Sequence, residues 1–269
     1  MSAMRQPTEL YMDVRGEGET IVLLHGWGMH SGIWGDLVES LSAQFRVVSI
    51  DLPGHGYSDN GCPLNLDAVV ETILAQVDNA VHWIGWSLGG SIMMHLLARA
   101  PERVKSLVLL SASPAFVSRT DWPHGIESGV LERFARDLQG DYKKTLQRFL
   151  ALQTLSSHAA KLTLRRLRDA LLERAEPNTE ALQQGLDILL RADLRDDMLN
   201  SQKPCLVVLG QYDQLVPASV AEFYRALPCP PHVALIDGAG HAPFLSHPRQ
   251  TLEIILPFIK ANSGINDNE

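Results

Sequence analysis

The sequence is short of cysteine, of basic charge and of long apolar runs, and each shortage removes a class of function. Three cysteines, Cys62, Cys205 and Cys229, stand far apart with no Cys-x-x-Cys pair among 269 residues, so the spacing builds neither a disulfide framework nor a zinc site. A reducing compartment suits such a chain. Lys and Arg number 23 against 31 Asp and Glu, a formal charge of -8, which is the wrong sign for gripping phosphates and argues against a nucleic-acid partner. No stretch approaches the roughly 18 to 20 apolar residues of a bilayer span. Met1 to Asp13 carries Arg5, Glu9 and Asp13 in place of an apolar leader core. The expected location is the cytoplasm, with no membrane partner. Internal repeats and low-complexity tracts are also missing, and Ala261 to Glu269, small, polar and acidic, reads as a loose tail.

What remains is the composition of a globular protein, 45% hydrophobic and 20% charged, long enough for one large core. Short apolar or β-branched runs at Thr20 to Leu24, Phe45 to Ile50, Val81 to Ile84, Lys105 to Leu110, Cys205 to Leu209 and His232 to Ile236 are bounded by Gly, Pro and Asp. They read as strands buried on both faces. Helical spacing fills Leu64 to Val77, Ser87 to Ala100, Pro217 to Leu227 and Pro248 to Ile259, with Pro217 and Pro248 suited to a first helical turn. The alternation predicts an α/β fold with a mostly parallel central sheet flanked by helices. Between about Ser118 and Asn200 the strand signal vanishes and three or four amphipathic patterns follow, such as Val130, Leu131, Phe134, Leu138 and then Leu146, Phe149, Leu150. The expected organisation is therefore a core of residues 1–117 and 201–269 with a helical cap, 118–200, inserted above the strand ends, where sites form.

After the strand at Val81 comes Gly85-Trp86-Ser87-Leu88-Gly89-Gly90 and then a helix. This is the Gly-x-Ser-x-Gly elbow in its strand, turn, helix context, with small residues where backbone segments must approach. A serine hydroxyl attacks only if a base takes its proton, so a histidine and a carboxylate are needed past later strand ends. Asp213 follows the strand at Cys205, and His241, between Gly240 and Ala242, follows the strand at His232; the order Ser, Asp, His suits the fold. Of the other histidines, His30, His82, His95, His124, His158 and His232 read as surface or satisfied structural residues, and His247 is the nearest competitor. Asp237 reads as a strand-end turn residue and Asp51 as a loop-orienting one. Acyl chemistry also needs oxyanion donors. Leu88 N–H is one; Trp27 N–H, in His25-Gly26-Trp27-Gly28 after the first strand, is the second, although core packing of the Trp27 ring is the rival reading.

Together with Asp51-Leu52-Pro53-Gly54-His55-Gly56-Tyr57-Ser58, Gly210-Gln211-Tyr212-Asp213 and Gly240-His241-Ala242-Pro243, these motifs resemble the α/β-hydrolase superfamily over nearly the whole chain. Within it, the serine elbow, Asp121-Trp122-Pro123, Arg148-Phe149-Leu150-Ala151-Leu152-Gln153-Thr154 and His241-Ala242-Pro243-Phe244-Leu245-Ser246-His247-Pro248 resemble the pimeloyl-[acyl-carrier protein] methyl ester esterases. The resemblance implies hydrolysis of the methyl ester of a pimeloyl chain on acyl carrier protein, in biotin synthesis. It implies substrate contacts from Trp27, Ser87, Leu88, Phe149, Leu150, Ala151, Leu152, Gln153 and His241. Separately, the expected enzyme needs no cofactor or metal and is a monomer.

Charge supports an acidic partner independently. From Tyr142 to Arg168, 27 positions hold Lys143, Lys144, Arg148, Lys161, Arg165, Arg166 and Arg168 and no acidic residue, while the rest of the chain holds 16 basic and 31 acidic residues. Lys144, Arg148, Lys161 and Arg165 are the expected carrier-docking residues. A broad carboxylesterase, a thioesterase, a carbon-carbon bond hydrolase, an aminopeptidase and a catalytically silent ligand-binding protein stay open as alternatives; a serine at 87 speaks against chemistry that wants an aspartate nucleophile.

Overall fold

A computed structural model describes residues 9–155 and 157–264. Met1 to Thr8, and the end of the expected tail from Ile265, lie outside the described residues, and Ala261 is helical rather than loose. The strands are β1 Met12–Arg15, β2 Thr20–Leu24, β3 Arg46–Ile50, β4 Val81–Trp86, β5 Val104–Leu110, β6 Cys205–Gly210 and β7 His232–Ile236. They form one sheet in the order β1-β3-β2-β4-β5-β6-β7. The pairings are parallel except that of β1 with β3.

Alternate residues of each strand face opposite layers, as the two-residue period requires. Val22, Leu24, Val48 and Ile50 join one apolar cluster, and Ile21, Leu23 and Val47 join the other. All of β4 and β6 is buried, which is why those runs read as continuous apolar stretches. The sequence misses β1, whose Met-Asp-Val-Arg is a half-exposed edge with no apolar run. It also overstates β7: an edge strand cannot be covered on both sides, and His232 and Leu235 are exposed.

The helices are α1 Gly35–Ser42, α2 Leu66–Leu74, α3 Leu88–Arg99, α4 Ser128–Gly140, α5 Tyr142–Thr154, α6 Ala160–Leu172, α7 Thr179–Arg191, α8 Arg195–Leu199, α9 Val220–Arg225, α10 Pro243–Ser246 and α11 Pro248–Ala261. Helices α1 and α11 pack on one face of the sheet, and α2, α3 and α9 on the other. Pro248 opens α11 as expected. Pro217 does not open α9; it lies before the cap residue Ser219, and its carbonyl accepts the Val220 N–H. The block α4 to α8 runs between β5 and β6 without a named strand. Its apolar residues join both layers: Leu131, Leu146, Phe149, Leu182 and Leu186 pack in the cluster of Trp27 and Leu88, while Leu150 and Leu167 pack in the cluster of Trp34 and Trp86. Asp141 caps α5 by accepting the Lys144 N–H, and Asn178 caps α7 by accepting those of Glu180 and Ala181.

The sheet order reverses at β2, since β3 lies on one side of it and β4 on the other. Loops leaving the carboxyl ends of strands at such a point diverge and leave room for a ligand.

Candidate active site

Ser87 joins β4 to α3 with φ 54°, a left-handed conformation that costs a non-glycine residue strain. The neighbours explain how the turn is tolerated. A Cβ on Gly85 would come 2.7 Å from the Gly89 carbonyl oxygen, and one on Gly89 would come 2.3 Å from that of Leu24. Glycine at both positions is therefore a packing requirement, and it holds the start of α3 against the end of β2. Leu88 is the first residue of α3, where a helix leaves its N–H groups without intrahelical partners.

Both partners expected for the serine are there. His241 Nε2 is 2.8 Å from Ser87 Oγ and its Nδ1 is 2.8 Å from Asp213 Oδ2. Because the carboxylate can only accept, the Asp213 contact places the ring proton on Nδ1 and leaves Nε2 to accept from the serine. The other Asp213 oxygen, Oδ1, accepts the N–H groups of Leu215 and Val216 at 2.8 and 3.0 Å, so the carboxylate has one aim. The imidazole is equally constrained: the His241 N–H donates to the Gln153 carbonyl at 3.0 Å, and Trp86 Nε1–H donates to the His241 carbonyl at 2.8 Å. Ser87, Asp213 and His241 are 2%, 4% and 0% exposed, so they are sealed from bulk water.

The competitors fall elsewhere. His247 is half-buried at the end of α10, with Nδ1 beside Ser246 Oγ, and Asp237 is exposed. His30 is a satisfied structural residue between Gly32 N–H and the Ala170 carbonyl. His82 lies between Ser106 and Glu19, and His95 between Asp67 and Asp197. His124 is half-buried, and His158 and His232 are exposed.

The loop after β2 passes directly over the serine: a Cβ on Gly26 would lie 3.2 Å from Ser87 Cβ. Trp27 is 1% exposed, its Nε1–H donates to the Leu182 carbonyl of α7 at 2.7 Å, and its ring meets that of Phe149 edge-on at 4.7 Å. The tryptophan is thus packed as well as placed near the serine. Two histidines on the neighbouring loops had no assigned role in the sequence. His25 Nδ1–H donates to the Gly26 carbonyl at 2.8 Å and Nε2 accepts the Leu52 N–H at 2.9 Å; a protonated ring could not accept. Burial, with His55 nearby, lowers its pKa to about 3. Burial likewise lowers that of His55 to about 4. A signal existed, since each histidine sits beside a glycine at a strand-end turn, but nothing in one sequence tells which loops tie together. Asp51 orients its loop as expected, its carboxylate accepting the N–H groups of Ser31 and Tyr57.

The run from Phe149 to Gln153 does not act as one surface, because successive helical residues turn by about 100°. Phe149 and Leu150 are buried toward Trp27 and Trp86 respectively, and Gln153 is buried with no partner for Oε1. Ala151 and Leu152 face outward instead, lining a groove of about 340 Å³ with Phe134 and Arg148. Lys144, Arg148, Lys161 and Arg165 are exposed. The all-basic stretch is less isolated than its sequence implied, since folding brings Asp137 to Arg148, Asp169 to Arg165, Glu176 to Lys143 and Asp36 to Arg166. Such surface pairs are worth about 0 to 1 kcal/mol each, so a partner's carboxylates can replace them. Lys144, Lys161 and Arg168 have no acidic partner among the described residues.

Residues 19–248 match the family model of the alpha/beta hydrolase fold. Among solved structures, an esterase from Exiguobacterium antarcticum superposes with a TM-score of 0.84 at 22% identity, covering 94% of this chain and 96% of that one. A bromoperoxidase from Bacillus anthracis superposes with a TM-score of 0.84 at 24% identity, covering 95% and 97%; at these identities the likeness speaks for the fold. Sequence relatives are nearer. A pimeloyl-[acyl-carrier protein] methyl ester esterase from Xanthomonas campestris pv. campestris is 45% identical over 255 residues, 94% of this chain and 99% of its own. One of the same name from Xylella fastidiosa is 45% identical over 253 residues, 93% and 98%. With a buried serine, histidine and aspartate in hydrogen-bonded series at the strand ends, and with such identity over almost its whole length, the chain belongs to the α/β-hydrolase family and, within it, to the family of these esterases.

Proposed function

We propose that the protein is a serine carboxylesterase that converts the methyl ester of pimeloyl-[acyl-carrier protein] to the free ω-carboxylate and methanol, serving biotin synthesis. The observation that carries the reading is His241 held between Asp213 and Ser87 at 2.8 Å on each side. Ser87 Oγ attacks the ester carbonyl as its proton passes to His241 Nε2, and Asp213 keeps the imidazole in the accepting tautomer and stabilises the imidazolium. The N–H groups of Trp27 and Leu88 receive the oxyanion, where one good donor is worth roughly 3 to 4 kcal/mol. The tetrahedral intermediate collapses as His241 returns the proton to the departing methoxide, giving methanol and an acyl-serine. Water then attacks with His241 again as base, releasing the acid and the serine hydroxyl. No step draws on a cofactor or metal.

Residues 118–200 act in this reading as a cap over the core of 1–117 and 201–269. Phe149 and Gln153 meet the acyl chain from the inner side of α5, and Lys144 and Arg148 of α5 with Lys161 and Arg165 of α6 meet the acidic carrier from the outer side. Among the described residues no helix is long and apolar enough to cross a membrane; the reading places the enzyme in the cytoplasm, as a monomer. The test is mass spectrometry of methyl pimeloyl-carrier protein before and after incubation. Loss of one methyl group from the wild type, and none with Ser87→Ala, is expected. A carrier-linked ester left intact by an enzyme that turns over p-nitrophenyl butyrate would overturn the substrate assignment in favour of a broad esterase.

A further inference from the structure

Between residues 170 and 182 the helical insertion is stitched to the loops after β2 and β3. The Ala170 carbonyl meets His30 Nε2 at 2.6 Å, the Asn178 N–H donates to the Gly54 carbonyl at 2.8 Å, and the Leu182 carbonyl accepts from Trp27. In the middle stands Arg174, whose side chain is 10% exposed beside the fully buried Asp51. Its Nη1 donates to Asp51 Oδ2 at 2.5 Å and to Ser31 Oγ at 2.9 Å. Its guanidinium lies 5.1 Å from the ring centre of Tyr11 and 4.5 Å from that of Tyr57, so two aromatic rings flank the cation while Nη1 serves both polar contacts.

What Arg174 holds leads to the serine in few steps. The residue after Asp51 gives its N–H to His25 Nε2, and His25 Nδ1–H is bonded to the Gly26 carbonyl. That carbonyl and the Trp27 N–H belong to one planar peptide unit. Fixing where the Gly26 oxygen points therefore fixes where the Trp27 N–H points.

We infer that Arg174 is a positioning residue for hydrolysis: through Asp51, Leu52 and His25 it sets the orientation of the Gly26-Trp27 peptide, and it pins the α6 to α7 junction that leads into α7, where the Leu182 carbonyl holds the Trp27 side chain. The inference rests on the reading of Trp27 N–H as an oxyanion donor. It differs from a stability role in what it moves. A tilted donor lowers the rate of the chemical step, and misplacement by about 1 Å can cost up to roughly a hundredfold, whereas a merely looser fold lowers the melting temperature and leaves each folded active site as fast as before.

The experiment measures kcat and KM for p-nitrophenyl butyrate, with kcat expressed per active site titrated by a fluorophosphonate, in wild type, Arg174→Lys and Arg174→Met. The expected result is a kcat per titrated site reduced about tenfold in Arg174→Met with KM changed by less than about threefold, and an intermediate value in Arg174→Lys, which keeps the charge on Asp51. Equal per-site kcat in wild type and Arg174→Met overturns the inference, even if the variant melts earlier. If Arg174→Met yields no folded enzyme, Arg174→Lys decides: a per-site loss of about twofold or more supports it, and parity overturns it. Turnover surviving in Ser87→Ala sinks the reading of the site itself, whereas inert Ser87→Ala with parity at Arg174 sinks this inference alone.

Discussion

The strand-end loops and the helical insertion hold their chemistry by different means. Ser87, Asp213 and His241 stand on short turns whose backbone is pinned mainly within the core, Ser87 N–H to the Leu110 carbonyl and Tyr212 N–H to the Ala239 carbonyl, with one bond to the insertion, His241 N–H to the Gln153 carbonyl of α5. Helices α5 and α6 instead bury apolar residues inward and expose basic ones outward, among them Lys144 and Lys161. The first arrangement suits bond making, where small displacements matter. The second suits recognition of a charged partner, where reach and sign matter more than an exact angle. Under the proposed function this difference would give reactivity to the core and carrier selectivity to the insertion, and it can be broken at either end.

The largest expected effect is at the core. Ser87→Ala should lower turnover of both carrier-linked and small free esters by at least about 10⁴-fold, with the melting temperature within about 2 °C of wild type. A variant that kept its activity on either substrate would dissolve the division of labour. A smaller, selective effect is expected at the insertion. Changing Arg148 and Arg165 together to Glu should reduce kcat/KM on the carrier-linked ester by about tenfold or more at low salt, and by less than about twofold on p-nitrophenyl butyrate; equal losses on the two substrates would show that the basic face supports the site rather than the partner.

The smallest effect sharpens the comparison through acid. His25 and His55 stay neutral inside the core loops, with pKa values of about 3 and about 4, while an unfolded chain protonates them near pH 6.5. The unfolded state therefore binds more protons as pH falls below about 6.5, so this stability is fully present above that pH and is lost on acidification toward about 4 and then about 3. Each contributes up to about 1.4 kcal/mol per pH unit in that window. Urea unfolding at pH 7 and pH 5 should show a decrease, and the decrease should be smaller in His55→Asn. The same decrease in both proteins would exclude His55 as a contributor.

How much of this was readable in one chain depended on whether the signal was local. The elbow was legible because Gly85, Ser87 and Gly89 are consecutive parts of one turn, and the acid and base because each follows a strand that announces itself. The run Phe149 to Gln153 was located but not oriented, since which residues face inward depends on what the helix packs against. The basic stretch was visible, but not that Asp137, Glu176 and Asp36 fold against it. Strand β1, an edge of four residues, carried no apolar pattern to find.

The amino-acid order alone determined the strands other than β1, the strained turn and the three reactive residue types, because each is written in neighbours a few positions apart. Tertiary structure alone decided that His241 reaches Ser87 across 154 positions, that Asp51 is paired by Arg174 across 123, and that the Trp27 ring is held by α7. Those are meetings between distant segments, whose energy exists only once the sheet has set the loops side by side and water has been excluded from between them.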